Sequence, residues 1–443
     1  MIRTSTLFLL LLSMTTLAQA QSGPYCIQGR FAEQPYFSDN EIVEVKDITY
    51  GQAMRWPSTT VDTLKMDIYM PDPTIDPLAE RPFIMFIHGG AFFAGQREDM
   101  ASICRDFARR GYVTATMSYR LGWDCDPNSG LLICFFCGSQ ADKLRVAAYR
   151  SVQDARAALR YVAANAGQFG IDASSFFVGG TSAGSVAAIH AAFLDQEQAD
   201  TFCPDCVPAV GQLDSGVNTI YADYTIQGVL NNCGAVMNLD IFEAGLPMPM
   251  ISFHDDGDCV VPSGYGYALG CLNCQDFFLA HGSKEMQVSS EQNANCFEMN
   301  LRLNSLNHCS YPQSTIVSRS SCFLKSILCG TCESASSNDV NNTASCMDLG
   351  TTSVFTPGQN GPTVRIYPNP SRGQAWMDVF GRTSEDQVEV QISNALGQAV
   401  SRFTVLPGND HSIALPFLPR GMYTVIIYQG QSVGQPQRLI IEN

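Results

Sequence analysis

Positive charge is scarce in this chain: 26 Lys and Arg stand against 42 Asp and Glu, a net charge of −16 at pH 7. Such a surface repels phosphate backbones and anionic lipid, which argues against nucleic acid or an anionic membrane as partner, and slightly against polyanionic substrates. After the N-terminal stretch no apolar run approaches the roughly 18 residues needed to cross a bilayer as a helix, so no stable membrane insertion is expected. Cysteine is plentiful, 17 in 443 residues, yet none follows Cys346. The last 81 residues also lack net charge, with six basic and six acidic side chains. The chain therefore changes character near Cys346, and the acidic surplus belongs to the part before it.

What is present begins with a leader. Arg3, the apolar core Leu7 to Leu12 and Ala18-Gln19-Ala20 fit a cleavable secretory signal peptide over residues 1–20, with a mature chain starting near Gln21. Export to an oxidising compartment makes disulfides the expected fate of the cysteines, and their odd number leaves at least one unbridged. Four C-x-x-C pairs occur: Cys134 with Cys137, Cys203 with Cys206, Cys271 with Cys274, and Cys329 with Cys332. That spacing also suits zinc, but oxidation competes with it, and the reading here assigns no metal and no cofactor.

The most informative stretch is Gly180-Thr181-Ser182-Ala183-Gly184, a G-x-S-x-G sequence after the apolar run Phe176 to Val178. In a nucleophile elbow the serine occupies a strained strand-to-helix turn, and the flanking glycines remove side chains that would collide there. Upstream, Phe83 to Ile87 reads as a buried parallel strand ending in His88-Gly89-Gly90-Ala91-Phe92, an exposed backbone turn able to present N–H donors. Between the two lie a strand over Tyr112 to Met117 and a helix from about Leu144 to Ala166, whose Val152, Ala155, Leu159 and Val162 share one face.

From Gln153-Asp154 through Phe169-Gly170-Ile171-Asp172 to Gly184, and in Tyr119-Arg120-Leu121, the chain resembles the carboxylesterase branch of the α/β-hydrolase superfamily over roughly Ile42 to Leu328. The resemblance implies an α/β fold with a mostly parallel central sheet. It also implies Ser182 as nucleophile, an oxyanion hole from the N–H groups of Gly90, Ala91 and Ala183, and a triad in the chain order Ser, acid, His. Asp258 lies in His254-Asp255-Asp256-Gly257-Asp258-Cys259-Val260-Val261-Pro262, which resembles the family's HGxxDxxVP acid loop, with Asp255 where glycine is expected. Asp255 and Asp256 are backup acids, and Asp214, after an expected strand over Pro208 to Leu213, is a further alternative. His308 is the expected base on a loop before a helix over Ser314 to Leu328, with His281 as the alternative.

Cys259 follows the expected acid and Cys309 the expected base, so a Cys259 to Cys309 disulfide joining the two loops is expected, provided their Cα atoms approach within roughly 7 Å. The apolar segment Trp123 to Gln140 reads either as a flap over the serine or as ordinary core packing.

Beyond Cys346, residues 347–362 read as a linker and 363–443 as a small antiparallel β-sandwich. Tyr367-Pro368-Asn369-Pro370-Ser371, Gly421-Met422-Tyr423-Thr424-Val425 and Arg438-Leu439-Ile440-Ile441 resemble the type A C-terminal sorting domain of the type IX (Por) secretion system. That resemblance implies a Bacteroidetes-type cell, passage through the periplasm, and a secreted or cell-surface enzyme whose partners are the secretion machinery and a small-molecule or polymer-linked ester. The domain expectation is thus a leader, a disulfide-rich hydrolase over 21–346, the linker and the sorting domain. A serine peptidase on the same fold and a silent adhesive module are the alternatives.

Overall fold

The computed structural model describes residues 23–123, 141–242, 248–272, 278–292, 296–338, 340 and 346, followed by 363–367, 371, 375–380, 387–394, 399–406, 413–416, 418–429, 432–433 and 437–441. The expected leader, the linker, and the expected flap beyond Trp123 lie outside the described residues. The chain divides into two compact units, one reaching Thr351 and one starting at Thr352.

The first unit is built on strands β1 (Ile42–Met54), β2 (Val61–Pro71), β3 (Arg81–Ile87), β4 (Val113–Met117), β5 (Ile171–Thr181), β6 (Ile226–Asn232) and β7 (Met250–Asp255). A small ribbon of β8 (Tyr265–Tyr267) and β9 (Leu279–His281) stands apart, and β10 (Phe297–Arg302) and β11 (Ala335–Ser337) complete the set. Nine strands form one sheet in the order β1-β2-β4-β3-β5-β6-β7-β10-β11. Only the pairings made by β2 are antiparallel. Among the described residues, the helices of eight residues or more are α1 (Ala101–Ala108), α2 (Ala141–Ala164), α3 (Ala183–Phe193), α4 (Ser283–Gln292) and α5 (Gln313–Leu328).

Strand β3 shows why its sequence is apolar from Phe83 to Ile87. Phe83, Met85 and Ile87 join the core under α2 and α3, whereas Ile84 and Phe86 join a second core with Phe107 of α1 and Leu324 of α5. Successive side chains point to opposite faces, so a strand covered on both sides must be apolar at every position. The expected face of α2 is observed, with Val152, Ala155, Leu159 and Val162 all buried.

The expected strand over Pro208 to Leu213 is not formed. Cys206–Val210 is a helical turn, closed by the Gly211 N–H donating to Val207 O and tied at its start by a Cys203–Cys206 disulfide. A local crosslink three residues long suits a turn, and β6 takes the sheet position instead.

In the second unit β12 (Thr363–Tyr367), β13 (Trp376–Phe380) and β16 (Ile413–Ala414) make one sheet. The other contains β14 (Val388–Asn394), β15 (Ala399–Val405), β17 (Gly421–Gln429), β18 (Ser432–Val433) and β19 (Gln437–Ile441). Met377 and Val379 from the first sheet share a core with Val390, Ile392, Val425, Ile427 and Leu439 from the second. Strand β14 alternates buried and half-buried positions from Val388 to Ile392, as one inward face requires.

Candidate active site

Ser182 sits between the end of β5 and the start of α3 with φ 55° and ψ −123°, a conformation costing an L-residue about 1–3 kcal/mol. Its N–H donates to Asn232 O at 2.9 Å, which fixes the turn to the end of β6. The flanking glycines have steric causes: a Cβ on Gly180 would lie 2.4 Å from the Gly184 carbonyl carbon, and one on Gly184 would lie 2.1 Å from Ile87 O.

The loop after β3 faces this elbow. Gly90 has φ 112°, and a Cβ there would come within 2.0 Å of Ala94 O. Ala91 and Phe92 are also left-handed, at φ 53° and 58°. Their carbonyls are held from outside: the Trp123 indole N–H donates to Ala91 O and the Gly122 N–H to Phe92 O, each at 2.9 Å. Behind the loop the Tyr119 hydroxyl donates to His88 O at 3.0 Å while its ring stacks on His88, centroids 4.4 Å apart. Burial holds the His88 imidazole below its ordinary pKa, against the raising effect of its bond to Gly89 O, so His88 stays neutral and structural. Arg120 is buried and gripped by Asp154, its own N–H reaching Oδ2 at 2.7 Å and its guanidinium reaching Oδ1 at 2.7 Å, with Gln153 Oε1 accepting at 2.9 Å. The Tyr119-Arg120 and Gln153-Asp154 motifs thus brace the loop.

His308 lies on the loop between β10 and α5. Its Nε2 is 2.8 Å from Ser182 Oγ and its Nδ1 is 2.6 Å from Asp258 Oδ2. Asp258 Oδ1 accepts from the N–H groups of Val260 and Val261 at 2.9 and 3.1 Å. Burial alone would raise the Asp258 pKa, but hydrogen bonds from His254 and His308 outweigh it and bring the carboxyl down to about 2. The group is ionised and acts as a fixed acceptor.

The alternatives are occupied elsewhere. Asp255 accepts from the Ser310 N–H at 2.9 Å and its hydroxyl at 2.5 Å, Asp256 pairs with Lys284, and Asp214 pairs with Arg156 and Arg160 at 3.0 and 2.7 Å. His281 stands on β9 with its ring against Tyr265, centroids 4.7 Å apart. Asp255, in place of the expected glycine, ties the base loop to the end of β7, a role the motif did not suggest.

The expected Cys259 to Cys309 disulfide is corrected. Cys309 is bridged to Cys233, just past β6, with Cα atoms 5.3 Å apart, and Cys259 to Cys271, 5.0 Å apart. The acid loop folds back on itself, the Cys271 N–H donating to Cys259 O at 3.1 Å, which turns Cys259 toward its own loop. The two loops meet through Ser310 and Asp255 instead. Of the C-x-x-C cysteines, Cys203 pairs with Cys206, while Cys329 pairs with Cys26 and Cys332 with Cys296; Cys134, Cys137 and Cys274 lie outside the described residues. Cys104, buried on α1, is a free thiol.

An apolar cavity opens at Ser182, lined by Ala91, Phe92, Val186, Leu194, Leu269 and Phe278 among others. Among the described residues no backbone or side-chain acceptor takes the N–H of Gly90, Ala91 or Ala183. The arrangement can deprotonate a serine beside a set of unengaged backbone donors, at the mouth of an apolar slot.

Residues 15–203 match the Carboxylesterase family, residues 144–299 match the family described as BD-FAE, and residues 365–442 match the Secretion system C-terminal sorting domain. A para-nitrobenzyl esterase of Bacillus subtilis (strain 168) is 33% identical over 138 residues, which cover 30% of this chain and 26% of that protein. The chain thus spans about a quarter of that relative. Among solved structures, an inhibited esterase B from Lactobacillus rhamnosis shows 17% identity and a TM-score of 0.42, over 67% of this chain and 89% of its own. A propionate-bound thermophilic esterase from the Planctomycetes species Thermogutta terrifontis shows 15% identity and a TM-score of 0.42, over 64% of this chain and 92% of its own. The first unit has the fold of an α/β-hydrolase and is similar to the carboxylesterases over residues 15–203, and residues 365–442 match a secretion-system C-terminal sorting domain.

Proposed function

We propose that the first unit is a serine carboxylic-ester hydrolase. The observation that carries this reading is the hydrogen-bonded series Asp258, His308, Ser182, with the serine on a strained elbow. Ser182 Oγ attacks the ester carbonyl as His308 Nε2 removes its proton. Asp258 holds the imidazole in the tautomer that leaves Nε2 free to accept, and stabilises the imidazolium that forms. The Gly90, Ala91 and Ala183 N–H groups take the charge that develops on the carbonyl oxygen. His308 then protonates the departing alcohol, and water repeats the sequence on the acyl-enzyme. The acyl group occupies the apolar cavity. The substrate class is an ester with an apolar acyl part, free or attached to a polymer.

The same proposal includes location: the leader over residues 1–20 takes the chain to the periplasm and the sorting domain directs it across the outer membrane, leaving a secreted or surface-held enzyme.

Hydrolysis of p-nitrophenyl esters across acyl lengths tests the chemistry. The intact protein is expected to be active, with kcat falling by about 10³-fold or more in Ser182→Ala and in His308→Ala. A folded but inactive parent, or a variant that keeps parental activity, would overturn the assignment.

A further inference from the structure

Behind the acid lies a set of fully buried polar side chains that the reaction scheme does not use: Ser185, Asn231, Ser252, Ser283 and His254, each with no exposed surface. The sheet brings them together. Asn231 on β6 stands opposite Ser252 on β7, and Ser252 and His254, two apart, share a face of that strand, while Ser283 begins α4. The contacts are continuous. Ser185 Oγ is 2.6 Å from Asn231 Oδ1, Asn231 Nδ2 is 2.8 Å from Ser252 Oγ and 3.2 Å from Ser283 Oγ, and the two serine hydroxyls are 2.6 Å apart. Ser283 Oγ is then 2.7 Å from His254 Nδ1, and His254 Nε2 lies 3.0 Å from Val261 O and 3.5 Å from Asp258 Oδ2.

The direction of these bonds is set by the backbone. The Gly234 N–H, which can only donate, points at the Asn231 side chain at 2.8 Å, so the atom facing it is the amide oxygen and the NH₂ group faces the serines. The approach is tight: a Cβ on Gly234 would lie 2.7 Å from Asn231 Oδ1 and 2.7 Å from Ser185 Cβ. With the Asn231 NH₂ donating, the Ser252 hydroxyl hydrogen has Ser283 Oγ as its acceptor. The Ser283 hydrogen then goes to His254 Nδ1. A protonated Nδ1 would drive the Ser283 hydrogen back toward Ser252 and leave the Ser252 hydrogen facing only donors.

We propose that Asn231, Ser252 and Ser283 form a one-way hydrogen-bond relay that holds His254 as a neutral Nε2–H donor against the acid loop, making His254 a positioning residue for Asp258. The proposal rests on the triad reading. It gives Asp258 a second imidazole on the side away from His308, one that orients the carboxylate without adding charge. It also joins the acid to the nucleophile through the core, because the Asn232 N–H donates to Ser185 Oγ at 3.1 Å and Asn232 O receives the Ser182 N–H. The other charged groups around this loop are committed: Asp255 to Ser310, Asp256 to Lys284, and Arg302 to the Ser310 hydroxyl at 2.9 Å.

The test reads protonation directly, by long-range ¹H–¹⁵N spectra of the full chain labelled with ¹⁵N-histidine. In the parent at neutral pH, His254 is expected as the Nε2–H tautomer with a bare Nδ1. In Asn231→Asp the carboxylate can no longer donate to the serines, the relay reverses, and both His254 nitrogens should carry protons at neutral pH. A parent with a protonated Nδ1, or an Asn231→Asp variant with the parental tautomer, would overturn the proposal, and the parent spectrum decides even if that variant does not fold. In kinetics, His254→Leu should lower kcat about tenfold with KM unchanged, the effect of one charge-assisted hydrogen bond; an unchanged kcat would count against the positioning role. Full activity in Ser182→Ala would instead sink the triad reading, and leaves the tautomer result to judge the relay alone.

Discussion

Asp258 carries the charge on which the site depends, and its environment makes a pH prediction. Its carboxyl sits at about 2 in the fold against about 3.9 in an unfolded chain. A depressed carboxylate contributes stability that is fully present above the unfolded value and lost as pH falls toward the folded one. Between about pH 4 and neutrality Asp258 therefore stays ionised, and titration of Asp258 is expected to add no acid limb to kcat/KM in that range. Asp258→Asn should lower kcat by about 10³–10⁴-fold at neutral pH, because the amide oxygen would face the Val260 and Val261 N–H groups and the NH₂ would donate to His308 Nδ1, fixing the wrong tautomer. A pH–rate profile of parent and variant checks both statements. At this scale the sequence singled out Ser182, His308 and Asp258, and the structure brings the three within hydrogen-bond distance in series. It offered Asp255 only as a backup acid, because a carboxylate in a glycine position announces no partner until Ser310 is seen beside it.

The elements place the reacting groups through crosslinks that sequence spacing cannot reveal. The Cys233–Cys309 bridge ties the base loop to the end of β6, the strand whose Asn232 also holds the Ser182 turn. It closes a loop of 76 residues, and its loss is expected to cost on the order of 2–4 kcal/mol. In Cys233→Ser with Cys309→Ser, thermal unfolding should shift down by several degrees, and kcat should fall more than KM changes, because the loop carrying His308 is released while the apolar cavity is not. Strands and helices with a strong apolar pattern, such as β3, α2 and α5, were legible because burial on two faces or one leaves a periodic record. The segment Pro208 to Leu213 was misread as a strand because a short apolar run suits strand and helical turn alike, and the deciding feature was the local Cys203–Cys206 bridge. The pairing of Cys259 was misread for a related reason: adjacency to the acid and base says which loops meet, but not where each sulfur points.

For the whole molecule, the two units differ in how they are held. Six disulfides among the described residues all lie in the first unit, whereas the second relies on an apolar core between two sheets. That division suits a catalytic part that works outside the cell and a sorting part needed for delivery. A chain ending at Thr351 is expected to retain the parental kcat/KM on p-nitrophenyl esters within about twofold and to lose secretion. Retention of the second unit in the mature extracellular form, shown by mass spectrometry, would favour a binding role for it instead.

Ser182, activated by His308, is expected to form the acyl-enzyme, and reaction with a p-nitrophenyl alkylphosphonate followed by peptide mass spectrometry tests this step directly. One phosphonyl group per chain is expected on the peptide containing Ser182, with labelling slowed by about 10³-fold in His308→Ala. Labelling of another residue, or equal labelling rates in parent and His308→Ala, would contradict it.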